Sequence, residues 1–140
     1  AVVEARPISS ALELARLVTD QKSEKRGKRH PATKTFQALR MAVNGELEVL
    51  RATLPLALDL LAPGGRLAVI AFHSLEDRIV KQMFRREARD CICPPEQIVC
   101  TCGHRASIRE VMRRPTKPTI EEVERNMRSR SARLRVAEKL

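Results

Sequence analysis

The residue types best suited to chemistry stand together in Phe72-His73-Ser74-Leu75-Glu76-Asp77-Arg78. His73, Ser74, Glu76 and Asp77 offer an imidazole, a hydroxyl and two carboxylates, groups that hold or move a proton and orient a polar substrate. Arg78 adds a cation beside them. The same residues can also be read as a helix start. Ser74 and Asp77 then form a capping-box-like pair, and Glu76 and Arg78 are solvated first-turn residues. His73 is harder to explain as packing. A Ser next to a His in sequence is not a nucleophilic dyad, and nothing here points to hydrolase chemistry.

A second cluster is His30-Pro31-Ala32-Thr33-Lys34-Thr35-Phe36-Gln37-Ala38-Leu39-Arg40. A basic loop opens a helix that carries Lys34, Gln37 and Arg40, and a helix N-terminus itself favours an anion such as a phosphate. A solvated basic face with Phe36 in the core is the plainer alternative. A third cluster is the tail from Asn126 to Arg135, where Arg128, Arg130, Arg133 and Arg135 stand among serines. That pattern suits phosphate contacts, or else a basic edge strand that discourages aggregation.

The fourth is Cys91-x-Cys93-x6-Cys100-x-Cys102-x-His104. Every cysteine of the chain lies in this stretch, which suggests a shared partner. Zinc held by Cys91, Cys93, Cys100 and Cys102, or by three of them with His104, is one reading. The spacing is C-x-C rather than the usual C-x-x-C, so free thiols in a reducing compartment and disulfides stay open beside it. A catalytic zinc is not indicated, since no carboxylate is placed nearby as a base.

These groups need a scaffold. Ser9 or Ser10 caps a short helix with the stripe Leu12, Leu14, Ala15, Leu17 and Val18. Residues 20–31 are polar and basic, broken by Gly27 and Pro31, and read as a loop. Phe36, Leu39, Val43, Leu47, Leu50, Leu54, Leu58 and Leu61 recur at steps of three and four, one apolar face of a long helix. Gly45 inside it costs about 1 kcal/mol against Ala, and Pro55 is expected to kink or split it. After Pro63-Gly64-Gly65, the run Arg66 to Phe72 is almost wholly apolar and suits a strand covered on both faces, as in a parallel sheet. A helix from Ser74 follows, with Leu75, Ile79, Val80, Met83 and Phe84 on one face. Helix, turn, buried strand and capped helix make half of a doubly wound α/β pattern. Ile108 to Met112 reads as a strand, Thr119 caps a turn of helix, and Ala132 to Val136 alternates as a half-exposed strand.

The chain's 140 residues suffice for one ordinary domain or part of a larger one. Its net charge of +10 points to a polyanion, with nucleic acid the first candidate. The excess is local: residues 21–40 carry +6 and residues 106–140 carry +5, around an apolar middle. No apolar run approaches the roughly 20 residues of a bilayer span, and the N-terminus has no signal-peptide pattern. The five glycines make neither GxGxxG nor a Walker loop, so nothing here cradles a nucleotide cofactor.

HPATKTFQALR (His30 to Arg40), GGRLAVIAFHSLEDRIVK (Gly64 to Lys81) and RSRSARLRVAEK (Arg128 to Lys139) resemble one family. They look like the C-terminal part of the RsmH (MraW) family of small-subunit ribosomal RNA methyltransferases. Ala5-Arg6-Pro7-Ile8 and Glu121 to Asn126 fit the same pattern. LxPGGRLAV is generic to S-adenosylmethionine enzymes, whereas HPATKTFQALR and FHSLEDRIVK are far more specific.

The resemblance implies methyl transfer from S-adenosylmethionine to N4 of a cytidine in the decoding centre of 16S ribosomal RNA. It implies a Rossmann-like methyltransferase core interrupted by a helical insertion. Residues 1–33 would end that insertion and its basic linker. Residues 34–140 would close the core, with a Cys-rich loop at 90–105. His73, Ser74, Glu76 and Asp77 would position the base, and Lys34, Gln37, Arg40, Arg78, Arg130 and Arg133 would hold RNA of the 30S subunit in the cytoplasm. The family's glycine-rich cofactor segment is absent, so the chain is expected to be a fragment, inactive without the N-terminal part of the same polypeptide. Asn126-Met127 replaces the family's common Asn-Pro. The competing expectation is a small zinc-stabilised RNA-binding module without catalysis.

Overall fold

The computed structural model describes residues 2–20 and 30–140, so most of the expected loop at 20–31 lies outside the described residues. The chain divides into two compact units, Ala1–Glu46 and Leu47–Leu140.

Among its described residues the first unit holds two helices. Helix α1 spans Ala11–Asp20. Its start is closed by Ser10 Oγ, which accepts from Glu13 N at 3.1 Å, while Ser9 N and Oγ donate to the Glu13 carboxylate. These bonds hold the Glu13 carboxyl below the usual carboxylate range, the Ser9 backbone N–H contributing most. Of the expected stripe only Val18 is buried.

Helix α2 spans Thr33–Asn44 and ends on Gly45, which adopts φ 59°, ψ 29° and donates its N–H to Met41 O. A left-handed residue at this position satisfies a carbonyl of the last turn, and glycine adopts it without a Cβ clash. The break in the predicted long helix therefore falls at Gly45. Helix α3 (Glu46–Asp59) runs through Pro55. Leu54 and Leu58, on either side of that proline, are buried at 4% and 3% exposure, so packing outweighs the backbone hydrogen bond that proline cannot donate.

The second unit contains strand β1 (Arg66–Ala71), helix α4 (Ser74–Glu87), strand β2 (Ile108–Glu110), helix α5 (Ile120–Arg125), a 3-10 turn (Met127–Ser131) and strand β3 (Arg133–Lys139). The sheet order is β1-β3-β2, with both pairings antiparallel. The expected parallel pairing is thus absent among the described residues. Burial alternates along β1, and Ile70 is 59% exposed, so the strand is not covered on both faces here. The turn before β1 is fastened to the end of β3: Gly64 N donates to Lys139 O and Lys139 N to Gly65 O, each at 2.8 Å.

The core joins Leu54 and Leu58 of α3, Ile79, Val80 and Phe84 of α4, Ile108 of β2 and Ala137 of β3. Leu47, Leu50, Leu61, Leu67 and Val69 pack against it. The α3 half of the predicted apolar face is therefore core, whereas in α2 Leu39 and Val43 are exposed.

Strand β3 is the middle strand, not an edge, which removes the reading of the tail as a protective basic edge. Its alternation also runs opposite to expectation. The register pairs Val69 with Arg135, Ala71 with Arg133 and Leu67 with Ala137, so both arginines share the face of the buried Ala137. Leu134 and Val136 share the other face with the exposed Ile70.

Candidate functional site

Strand β1 ends at Ala71, and the chain turns into α4 through Phe72 and His73. His73 is extended (φ −140°, ψ 163°) and is the residue that caps the helix. Its Nδ1 accepts from Glu76 N at 3.3 Å, and Glu76 Oε2 accepts from His73 N at 3.2 Å and Phe72 N at 2.9 Å. This is a reciprocal capping box in which imidazole replaces the usual hydroxyl. The predicted cap at Ser74 with Asp77 lies one residue too late: Ser74 is already helical and exposed. The H-x-x-E spacing was the available signal.

Since Nδ1 accepts a hydrogen bond, the neutral ring carries its proton on Nε2. That Nε2 is buried and has no hydrogen-bond partner among the described residues; Glu76 Oε1 lies 3.2 Å away but off the line of the N–H. A buried donor without a partner is unusual and costs free energy. It sits beside Phe72, which is 55% exposed, and the exposed Ser74.

Asp77 points elsewhere. Its carboxylate accepts from Arg135 Nε at 2.7 Å and Nη2 at 3.2 Å, and from Arg133 Nη1 at 3.2 Å. Burial alone would raise the Asp77 carboxyl, but the hydrogen bonds and charges of Arg135 and then Arg133 outweigh it and hold it below the usual carboxylate range. Asp77 and Arg135 are both buried, so this group ties α4 to β3. The Asp77 carboxylate, expected at the base, has Arg135 and Arg133 as its partners here. Sequence reasoning missed the partnership because the residues stand 58 positions apart.

The residues expected to meet RNA divide the same way. Lys34, Arg78 and Arg130 are exposed, whereas Gln37 is half-buried. Arg40 pairs with Glu46 at 2.8 Å, and Arg133 is tied to Asp77. Arg128 and Arg130 stand on the 3-10 turn, which Asn126 caps by accepting from Arg128 N and which Ser129 braces by donating to Asn126 O.

The four cysteines converge. Their sulfurs all lie within 4.8 Å of one another, with Cys93–Cys100 at 4.0 Å, Cys100–Cys102 at 3.6 Å and Cys91–Cys102 at 3.9 Å. None is in a disulfide. Backbone N–H groups of Ile92 and then His104 lower the Cys102 thiol to about 6. The Cys93 N–H acts to lower Cys91, but the neighbouring thiols of Cys100, Cys93 and Cys102 together push it up to about 12. His104 stands outside the group, its Nε2 3.1 Å from Arg86 O, so the structure gives the imidazole another partner than the proposed metal.

The described residues do not build a cradle for S-adenosylmethionine. The strand-to-helix turn after β1 has no glycine. Its backbone N–H groups at Phe72 and His73 are already taken by Glu76. Among the described residues, no helix is long and apolar enough to cross a membrane.

Comparison with known proteins agrees with these motifs. Residues 1–140 match the model of the MraW methylase family. The chain is 58% identical to "Ribosomal RNA small subunit methyltransferase H" of Thermomicrobium roseum over 135 residues, 96% of this chain and 41% of that protein. It is 64% identical to the protein of the same name from Solidesulfovibrio magneticus over 113 residues, 81% of this chain and 35% of the relative. The Dehalococcoides mccartyi relative is 51% identical over all 140 residues, 40% of its own length. The chain therefore spans about two fifths of these relatives, and a stand-alone RNA-binding module finds no support. On a match that runs from the first residue to the last, the chain belongs to the MraW methylase family.

Proposed function

We propose that this chain is the C-terminal part of an S-adenosylmethionine-dependent enzyme that methylates N4 of a cytidine in the decoding centre of small-subunit ribosomal RNA. The observation that carries the reading is the family match along the whole chain, to relatives named for that RNA. In this reading residues 1–33 end an inserted helical domain and residues 34–140 close the core. The cofactor is held by a segment outside this chain, because the described residues offer no cradle for it, and the chain alone does not methylate.

What this part supplies is substrate handling. Cytosine N4 is a weak nucleophile, since its lone pair is delocalised into the ring, so rate depends on holding N4 in line with the transferred methyl. The cytidine must also leave its stack to be reached. The Nε2–H of His73 has no hydrogen-bond partner among the described residues, and in this reading it meets an acceptor on the base edge. The reciprocal bonds with Glu76 fix the ring that carries it, and Ser74 stands exposed beside it. His73 is then a base-positioning residue. Lys34, Arg78 and Arg130 hold RNA phosphates.

The test has two parts. Deleting the encoding locus should abolish N4-methylated cytidine in small-subunit ribosomal RNA, read by nucleoside mass spectrometry. Persistence of the mark in a genome with no second copy would refute the enzyme reading. In the full-length enzyme, His73→Ala should lower turnover more than RNA affinity; the reverse would remove His73 from the base pocket.

A further inference from the structure

Between α4 and β2 the chain runs through residues 88–107 with no helix or strand. A connection this long inside a compact unit is uncommon and calls for something to order it. Its neck is closed by hydrogen bonds: Ser107 N donates to Glu87 O at 2.8 Å, Ser107 Oγ to Glu87 Oε2 at 3.1 Å, and Ala106 N to Asp90 Oδ1 at 3.3 Å. Beyond the neck the segment is nearly all exposed, and Ile98 is 100% exposed. No apolar packing holds the tip; the four sulfurs are what come together there.

We propose that Cys91, Cys93, Cys100 and Cys102 bind one Zn2+ in a closed, tetrahedral, four-thiolate site that orders this connection. Three observations support the site. First, a tetrahedron of sulfurs each about 2.3 Å from zinc has edges of about 3.8 Å, and three sulfur–sulfur distances here are 3.6, 3.9 and 4.0 Å. A disulfide needs about 2.05 Å, so the arrangement has the spacing of ligands around a shared ion. Second, Cys93 N donates to Cys91 Sγ at 3.4 Å, the outer-shell support that metal-bound thiolates use. Third, Gly103, directly after Cys102, has φ +62°, a left-handed turn that glycine adopts most readily.

Four thiolates fill the coordination sphere, so the ion has no open position for water or substrate and its role is structural. Binding displaces the remaining thiol protons to solvent and leaves a site of net charge −2. Thiolate softness favours zinc over magnesium or calcium.

The test uses the whole 140-residue chain, purified under reducing conditions. Elemental analysis should find about one zinc per chain. Replacement by Co2+ should give thiolate-to-cobalt charge-transfer bands and strong tetrahedral d–d bands. Zinc should protect all four cysteines from alkylation, read by mass spectrometry. Cys100→Ser should weaken retention against a chelator at least tenfold, with the helix content followed by circular dichroism. His104→Ala should leave stoichiometry and cobalt spectrum unchanged. Equal alkylation of the reduced chain with and without zinc, whatever its fold, overturns the proposal. Iron in place of zinc overturns the identity of the ion, and loss of metal in His104→Ala overturns the ligand set.

Discussion

Arg135 grips Asp77 in a fork, Nε to Oδ1 at 2.7 Å and Nη2 to Oδ2 at 3.2 Å, with both side chains more than nine-tenths buried. A central strand carries an arginine on its covered face because a helix brings the matching carboxylate to it. Removing one partner leaves the other charged and buried, which costs about 3–5 kcal/mol. Asp77→Ala should therefore lower the denaturation midpoint steeply, while the paired change Asp77→Leu with Arg135→Met should recover most of the loss. A single substitution costing under about 1 kcal/mol would show that the pair does not fasten α4 to β3.

The same pair sets a pH dependence. Arg135 and Arg133 hold the folded Asp77 carboxyl below its usual range, against the burial that acts to raise it. A depressed folded value stabilises the protein above the unfolded value, near about 3.9 for Asp, and that contribution fades as pH falls through the folded one. The stability gap between the native chain and Asp77→Asn should be full at neutral pH and shrink below about pH 4. A gap that widens on acidification would reverse the sign assigned here.

The capping box at His73 and Glu76 makes a separate, smaller contribution. Glu76→Ala frees the backbone N–H groups of Phe72 and His73 and should cost about 1 kcal/mol, the usual worth of a lost cap. Glu76→Gln keeps an acceptor in the box and should cost less. Thermal unfolding of the two variants separates them, and equal losses would assign the effect to charge rather than to the cap.

How far the sequence could be read follows from the range of each interaction. Strand β1, helix α4, the Thr119 cap (its side chain accepts from Glu122 N) and strand β3 were legible because periodicity and turn residues act within a few positions. The cysteine cluster was legible for the same reason, since its members lie within twelve residues. The sheet was not. Nothing local in Arg66 to Ala71 says that its neighbour is β3 or that the pairing is antiparallel. The inward arginines were not legible either. Alternating Arg133-Leu134-Arg135-Val136 reads as basic outside and apolar inside until Asp77 is known to face it.

The difference between free and paired cations is open to measurement on RNA. Arg130 is exposed, whereas Arg133 reaches Asp77 at 3.2 Å. Each phosphate contact adds about 0.7–0.9 to the slope of log affinity against log salt. In the full-length enzyme, Arg130→Ala should weaken RNA binding and flatten that slope by roughly one contact. Arg133→Ala should change the slope less and thermal stability more. The opposite ranking would return Arg133 to the RNA surface.

Gly45 offers the sharpest contrast between the two readings of the long apolar face. Inside an unbroken helix, Gly→Ala gains about 1 kcal/mol. At φ 59°, ψ 29°, where α2 ends, the added Cβ instead meets the left-handed penalty of about 1–2 kcal/mol. Gly45→Ala should therefore destabilise the chain, and Gly45→Asn should do so less, since Asn adopts that conformation more readily than Ala. Chemical denaturation reads the sign directly. A stabilised Gly45→Ala would mean that α2 and α3 join into one helix and that the leucine register runs unbroken from Phe36 to Leu61.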